Sequence, residues 1–211
     1  MRGILKRAIA ILLVLAAALS MMTSCDRSYD EEEVIAAAKE LLPKAAVLNS
    51  VYYGNGIYAE PSGYQNGSYY EADFLHLNKL GFTTIAELEA LTMATFSAKY
   101  ASSIINYYLY PAPEGETYRT VRYYQEYDLD DPTLPVRIMV YSRHKPIFDD
   151  RLTYHIETVK AVGSTKNIVN MTVEATIENA DGEEKRVTID FGLYEEKVGW
   201  RISSTCFVNY K

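Results

Sequence analysis

Residues 167–178, NIVNMTVEATIE, and 185–195, KRVTIDFGLYE, decide the fold. In the first, Val169, Met171, Val173, Ala175 and Ile177 take every second position, and Asn170, Thr172, Glu174, Thr176 and Glu178 take the others. In the second, Val187, Ile189, Phe191 and Leu193 alternate with Arg186, Thr188 and Asp190. A period of two puts one set on each face of a strand. One face is then buried and the other wet, as an antiparallel sheet covered on one side requires. Ala180-Asp181-Gly182-Glu183 between the two runs supplies turn residues, so they read as a hairpin.

The same period extends outward, and strands are expected at 117–127, 136–142, 152–162 and 199–209 as well. Toward the N-terminus the period becomes helical. Asp30 is placed to cap a helix whose first turn holds Glu31, Glu32 and Glu33, where the helix dipole favours anions. Val34, Ala37, Ala38, Leu41, Ala45, Leu48 and Tyr52 keep the helical spacing, and Pro43 is expected to kink or break it near Lys39–Leu42. Residues 50–73 hold six tyrosines and four glycines and read as a loop or irregular hairpin turning at Asn66-Gly67. Thr84 with Glu87 forms a capping box. The helix it opens is expected to continue through Phe96, Tyr100, Ile104 and Tyr108 to about Leu109, where Pro111 and Pro113 end it. The sequence thus predicts one α+β domain, with N-terminal helices packed on one face of a curved antiparallel sheet of about six strands.

The N-terminus carries an address. Arg2, Lys6 and Arg7 precede residues 8–19, AIAILLVLAAAL, an apolar run too short for a spanning helix, which needs about 20 residues. It ends in Ser20-Met21-Met22-Thr23-Ser24-Cys25, which resembles the bacterial lipobox, with Met22 where Leu is commonest. That resemblance implies a signal peptide of residues 1–24, a diacylglycerol on Cys25, and a tether of residues 25–30 ahead of a domain at 31–211. Two acyl chains suffice for stable anchoring. Asp26 resembles the inner-membrane retention signal of diderm bacteria, which implies the outer leaflet of the cytoplasmic membrane; in a monoderm host the protein would face outward. Lipidation would leave Cys206 unpaired. Cys206 continues the alternation Trp200, Ile202, Ser204, Cys206, Val208, so a buried thiol is expected. The alternative is a secreted protein in which Cys25 pairs with Cys206.

Composition narrows the function. The chain has 211 residues, 48% apolar and 23% charged, the proportions of a folded protein. Its net charge is −7, and removing the three cations of residues 1–24, which contain no acid, takes it to −10. Such a surface repels nucleic acid, and no nucleic-acid partner is expected. Two cysteines and three histidines leave few ways to build a zinc site, and neither metal nor cofactor is expected. Gly54-Asn55-Gly56-Ile57-Tyr58-Ala59 has the letters of a dinucleotide loop, but it follows a helix where that loop needs a strand. Asp128, Asp130 and Asp131 with Asp149 and Asp150 lack calcium-loop spacing and read as a solvated acidic loop.

Helices followed by long strands that close in Gly199-Trp200-Arg201-Ile202-Ser203 resemble the cone-shaped α+β fold of the nuclear-transport-factor-2-like (cystatin-like) superfamily. Small bacterial envelope lipoproteins often carry such domains. Thr84–Leu109 also resembles the helical part of a secreted cell-wall endopeptidase inhibitor family. Neither resemblance brings a catalytic motif to this chain.

Nineteen tyrosines are the most unusual feature of the composition. Tyrosine joins a flat apolar face to a hydrogen-bonding tip, which suits interfaces and sugar stacking. Tyr58, Tyr64, Tyr69 and Tyr70, in the Gly-rich stretch, form the candidate binding surface. The expected role is non-catalytic binding at the cell envelope. The membrane would be engaged through the anchor, and an envelope protein or cell-wall component would be the partner. Two alternatives stand beside it. One is an enzyme with a cone-shaped pocket in which His155 exchanges protons with Asp73, Glu126 or Glu157. The other is a regulator of cell-wall hydrolases.

Overall fold

The computed structural model describes residues 29–60, 62–112, 120–127, 136–143, 145–146, 151–165, 167–178 and 182–207. The leader, Cys25, and the aspartates at 128–131 and 149–150 lie outside the described residues. In chain order the elements are α1 (Glu31–Tyr53), β1 (Gln65–Asn66), β2 (Tyr69–Glu71), α2 (Phe74–Leu80), α3 (Ile85–Thr95), α4 (Ala98–Tyr108), β3 (Tyr123–Glu126), β4 (Arg137–Tyr141), β5 (Arg151–Thr165), β6 (Ile168–Glu178), β7 (Glu184–Glu196) and β8 (Gly199–Ile202). Among the described residues no helix is long and apolar enough to cross a membrane.

The class is α+β, but the strands form two antiparallel sheets of four, where one sheet of about six was expected. The large sheet is the meander β5-β6-β7-β8, and the small one has the order β1-β2-β4-β3. The reason lies in the Tyr/Gly stretch. Its β1 and β2 form a hairpin across Gly67-Ser68, and β2 pairs with β4, drawing β3 and β4 into a sheet of their own. In the large sheet Val169, Met171, Val173 and Ala175 of β6 face Leu193, Phe191, Ile189 and Val187 of β7 in strict register. Alternation fixes that register, because a slip of one residue would turn every apolar side chain outward.

α1 lies against this sheet, chiefly on β5 and β8, and its stripe Val34, Ala38, Leu41, Leu42, Ala45, Leu48 and Tyr52 is buried. Asp30 caps it, its Oδ1 accepting from the Glu32 and Glu33 amides at 3.0 and 3.3 Å. Pro43 does not break the helix, which runs unbroken to Tyr53. Pro43 is exposed, as are Lys39 and Glu40 one turn earlier. The carbonyl that loses its donor therefore faces water, and packing of the opposite face holds the helix together.

The second helical block does divide. Phe96 is extended (φ −102°, ψ 153°) and bridges Ile202 of β8, and the Ser97 amide donates to the Ile202 carbonyl at 2.8 Å. The Ser97 side chain makes no capping bond, so Glu196 of β7 accepts from the Ala98 amide instead, at 2.8 Å. A long-range strand contact thus splits one helical pattern into α3 and α4. The expected capping box is present at α3: Thr84 Oγ1 accepts from the Glu87 amide at 3.1 Å, and Glu87 accepts from the Thr84 amide at 3.2 Å.

The two ends of α1 are tied to different sheets. At its start, the Trp200 indole N–H of β8 donates to Glu33 Oε1 at 3.0 Å. At its end, Arg122 donates from Nη1 to the Tyr52 carbonyl at 2.5 Å and from Nη2 to the Gly54 carbonyl at 2.7 Å. Tyr123 completes this clasp, donating to the Val51 carbonyl at 2.7 Å and accepting from the Ile57 amide at 3.2 Å. Burial pushes its phenol up to about 12, which keeps it protonated and able to donate. Gly56 closes the space with φ +79°, and a Cβ there would lie 2.3 Å from Arg122 Nη2 and 2.4 Å from the Tyr123 hydroxyl.

Cys206 is buried with a free thiol. It lies beyond the end of β8 at Ile202, since the expected strand 199–209 stops early. Asn49 Nδ2 donates to its sulfur at 3.2 Å, and the Tyr154 hydroxyl donates to its carbonyl.

Candidate functional site

Strand pleating assembles one face of the small sheet. Tyr69 of β2 stands opposite Tyr141 of β4, Glu71 and Tyr124 flank Met139, and Glu126 of β3 stands opposite Arg137. These residues share a face because alternate positions do. Their neighbours Ile138, Val140 and Tyr123 point the other way, into the main core. Met139 is fully buried yet stands apart from that core, under the outer layer of rings and long side chains. The ladder continues past β2. The Glu60 amide donates to the Glu71 carbonyl and the Asp73 amide to the Tyr58 carbonyl, both at 2.8 Å, which sets Glu60 and Tyr58 beside Glu71 and Asp73.

Two of the four candidate tyrosines, Tyr64 and Tyr69, meet there, and a third, Tyr58, lies at the edge of the face. Tyr64 is 44% exposed, its hydroxyl donates to Glu126 Oε1 at 3.2 Å, and the Arg137 guanidinium lies 5.0 Å above its ring. Tyr69 is half-buried, edge-on to Tyr124 at 4.8 Å and tilted against Tyr141 at 5.3 Å, and it donates to the Val121 carbonyl at 2.9 Å. Tyr58 is 61% exposed and stacks on His76 at 4.1 Å. Tyr70, one residue past Tyr69, takes the opposite face of β2, across from Val140. Sequence reasoning missed Tyr124, Tyr141 and Arg137. The first was findable, since Tyr124 and Glu126 are two apart in an expected strand and so share a face.

Glu126 is the hub. Its carboxylate accepts from Tyr64 Oη, from Tyr124 Oη at 2.9 Å and from Asn66 Nδ2 at 3.4 Å. Burial and the bond to Glu126 both raise the Tyr124 pKa, so this phenol remains a donor. The Arg137 Nε lies 3.5 Å from Glu71 Oε1, and Glu71 Oε2 accepts from the Tyr64 amide at 3.3 Å.

The Tyr58 end is pH-sensitive. Its amide donates to His76 Nδ1 at 2.9 Å, so the imidazole must be neutral at that nitrogen. Burial lowers the His76 pKa below its ordinary 6.5. The unfolded chain therefore takes up the proton first as pH falls, and this contact is fully stabilising above pH 6.5 and progressively lost below it. Hydrogen exchange of the Tyr58 amide is expected to show constant protection above that pH and declining protection on acidification. A His76 titration midpoint above 6.5 would contradict this.

His155 stands elsewhere, on the outer face of the large sheet. Its Nε2 bonds Thr176 Oγ1 at 2.8 Å, and Glu157 lies 4.0 Å from Nδ1 with its side chain 77% exposed. The structure does not bring Asp73 or Glu126 to it: Asp73 caps α2 through the His76 amide, and Glu126 belongs to the small sheet. The concavities among the described residues include three. One, of about 730 Å³, runs between α4 and the ends of β6 and β7, lined by Tyr100, Ile168 and Tyr194. Another, of about 560 Å³, follows α4 along Tyr53 and Tyr107. The third, of about 160 Å³, lies beside Tyr29 and Trp200. His155 lines none of the three. Among the described residues no group of three or more His, Cys, Asp or Glu side chains is arranged to hold a metal ion.

Comparison with protein-family models, with curated proteins and with solved structures returns no match to this chain.

Proposed function

We propose that this protein is an extracytoplasmic lipoprotein, anchored through Cys25 to the outer leaflet of the cytoplasmic membrane, with a non-catalytic binding role at the cell envelope. Its working surface is the outer face of the small sheet. The observation that carries the reading is the convergence of Tyr64 and Tyr69 with Tyr124 and Glu126 on the outer face of the small sheet, with Tyr58 exposed at its edge. Rigid aromatic side chains recognise partners at low entropic cost. A cell-wall hydrolase regulated by contact would be one partner of the required kind.

The geometry gives this reading an orientation. Residues Asp26–Asp30 can reach at most about 17 Å, whereas the 23 residues of α1 span about 34 Å. The tyrosine face belongs to the far end of that helix, where Arg122 and Tyr123 grip Tyr52 and Val51. On this reading it is held away from the bilayer, and Trp200 lies at the anchored end of α1.

Cys25→Ala is expected to release the protein from membranes or block processing of the leader; unchanged attachment and processing would remove the anchor. For the surface, a crosslinked pull-down of the full-length protein from its own membranes is compared with the same experiment on Tyr64→Ala. Tyr64 is the cleaner probe: losing its hydrogen bond to Glu126 and its contact with Arg137 costs about 1 kcal/mol, while Tyr69→Ala removes a half-buried ring. A stoichiometric partner lost from Tyr64→Ala while the protein remains folded supports the surface. The same partner at the same yield excludes it.

A further inference from the structure

The geometry points to a basic protein segment, bearing arginine or lysine side chains, as the partner of the tyrosine face. This rests on the binding role proposed above and names its chemistry. The face already shows how it takes a guanidinium, with Arg137 over the Tyr64 ring and its Nε at Glu71. Cation–π contact and a carboxylate act there together. Glu126 shares that ring: it accepts from the Tyr64 hydroxyl, stands opposite Arg137 across the strands, and has Tyr124 as a second ring beside it. Its carboxylate is ringed by Tyr64, Tyr124 and Asn66, and among the described residues no lysine or arginine pairs with it.

Charge along the face agrees. Glu60, Glu71, Asp73 and Glu126 lie along it, against Arg137, the exposed Lys79 near His76 and, at the hairpin end, an exposed Arg143. The excess is negative, on a protein whose sequence after residue 24 carries a charge of −10. A second copy of this chain would bring the same acids against themselves, so self-association through this face is disfavoured. Shape argues for a protein segment over a free polyamine. The acids and rings of the face are spread over four strands about 4.8 Å apart, a wider span than one small cation covers. An aromatic, acidic sheet surface fits an extended basic segment laid across it.

The test titrates the full chain in detergent micelles with three probes: a short Gly/Ser/Arg peptide, its Glu-for-Arg counterpart and a chitin tetrasaccharide. Backbone and Tyr ring NMR signals of β2, β3 and β4 are the readout. The basic peptide is expected to shift Tyr64, Tyr124 and Glu126, with affinity falling as salt is raised. Glu126→Gln is expected to weaken it about tenfold. Glu184→Gln, which removes the same charge from the exposed start of β7, is expected to leave affinity unchanged. Equal weakening by both variants, or shifts scattered away from the face, would mean non-specific attraction and overturn the proposal. Shifts on the face caused by the tetrasaccharide and not the basic peptide would also overturn it, leaving the binding role intact. If no probe moves the face, and Tyr64→Ala leaves capture from membranes unchanged, both readings fail.

Discussion

Replacing Arg122 by methionine is expected to lower the stability of the protein by about 3–5 kcal/mol, read as a fall in melting temperature of about 10 °C. Two effects oppose each other at this site. The guanidinium is buried, 4% exposed, and among the described residues no carboxylate pairs with it. Burial pulls its pKa down, so the fold holds this charge at a cost, and Nε has no hydrogen-bond partner. Against that cost stand two bonds from a cation to the last carbonyls of α1, each contributing about 1.5–3 kcal/mol. Methionine would relieve the charge but leave the Tyr52 and Gly54 carbonyls bare inside the protein. The carbonyl side wins, because both acceptors remain when the donor is gone. The cation also stands at the negative end of the α1 dipole. Arg122→Lys should recover less than half of the loss, since an ammonium cannot span two carbonyls as a planar fork does. A change within about 0.5 kcal/mol in Arg122→Met would show that water already serves those carbonyls.

Phe96→Ala is expected to cost about 3–5 kcal/mol in urea denaturation followed by circular dichroism. The ring is fully buried and meets Tyr100 edge-on at 5.1 Å. It stands at the elbow between α3 and α4, where its backbone bridges Ile202, so its loss opens a cavity among both helices and β8. Phe96→Leu keeps most of the volume and should cost about 1.5 kcal/mol or less. Equal losses from the two variants would trace the effect to the edge-on aromatic contact with Tyr100 and away from the cavity.

The parts of the fold readable from the sequence are those that local periodicity encodes. The β6–β7 hairpin came through in register because each strand carries its own alternation of apolar and polar residues. The Asp30 cap and the Thr84–Glu87 capping box were readable for the same reason, as their partners lie two or three residues away. The elements that departed from expectation were decided at long range. Pro43 was tolerated because its side of α1 faces water, a matter of which face the core claims. The division between α3 and α4 depends on Ile202, more than a hundred residues away, and on Glu196 as a cap supplied by another strand. Two sheets formed in place of one because a Gly-rich stretch of weak strand character found a partner in β4.

The candidate site shows the same division. Tyr58, Tyr64 and Tyr69 were marked by composition, and their spread along the chain gave no means of telling which would meet. Pleating and the β2–β4 register brought Tyr64 and Tyr69 to Tyr124, Tyr141 and Glu126, and set Tyr70 on the other side. His155 looked equivalent to these residues in one dimension, and the structure placed it on the outer face of the other sheet beside Thr176. By itself the sequence determined the α+β class, the faces of the long strands and the starts of α1 and α3, because a repeating pattern or a cap needs only neighbours. Only the tertiary structure decided the two-sheet division, the clasp of Arg122 and Tyr123 on α1, and the tyrosine–carboxylate face. Each of these depends on groups far apart in the chain, and their pairing is chosen by which buried carbonyls and apolar faces remain to be satisfied once the local elements have formed.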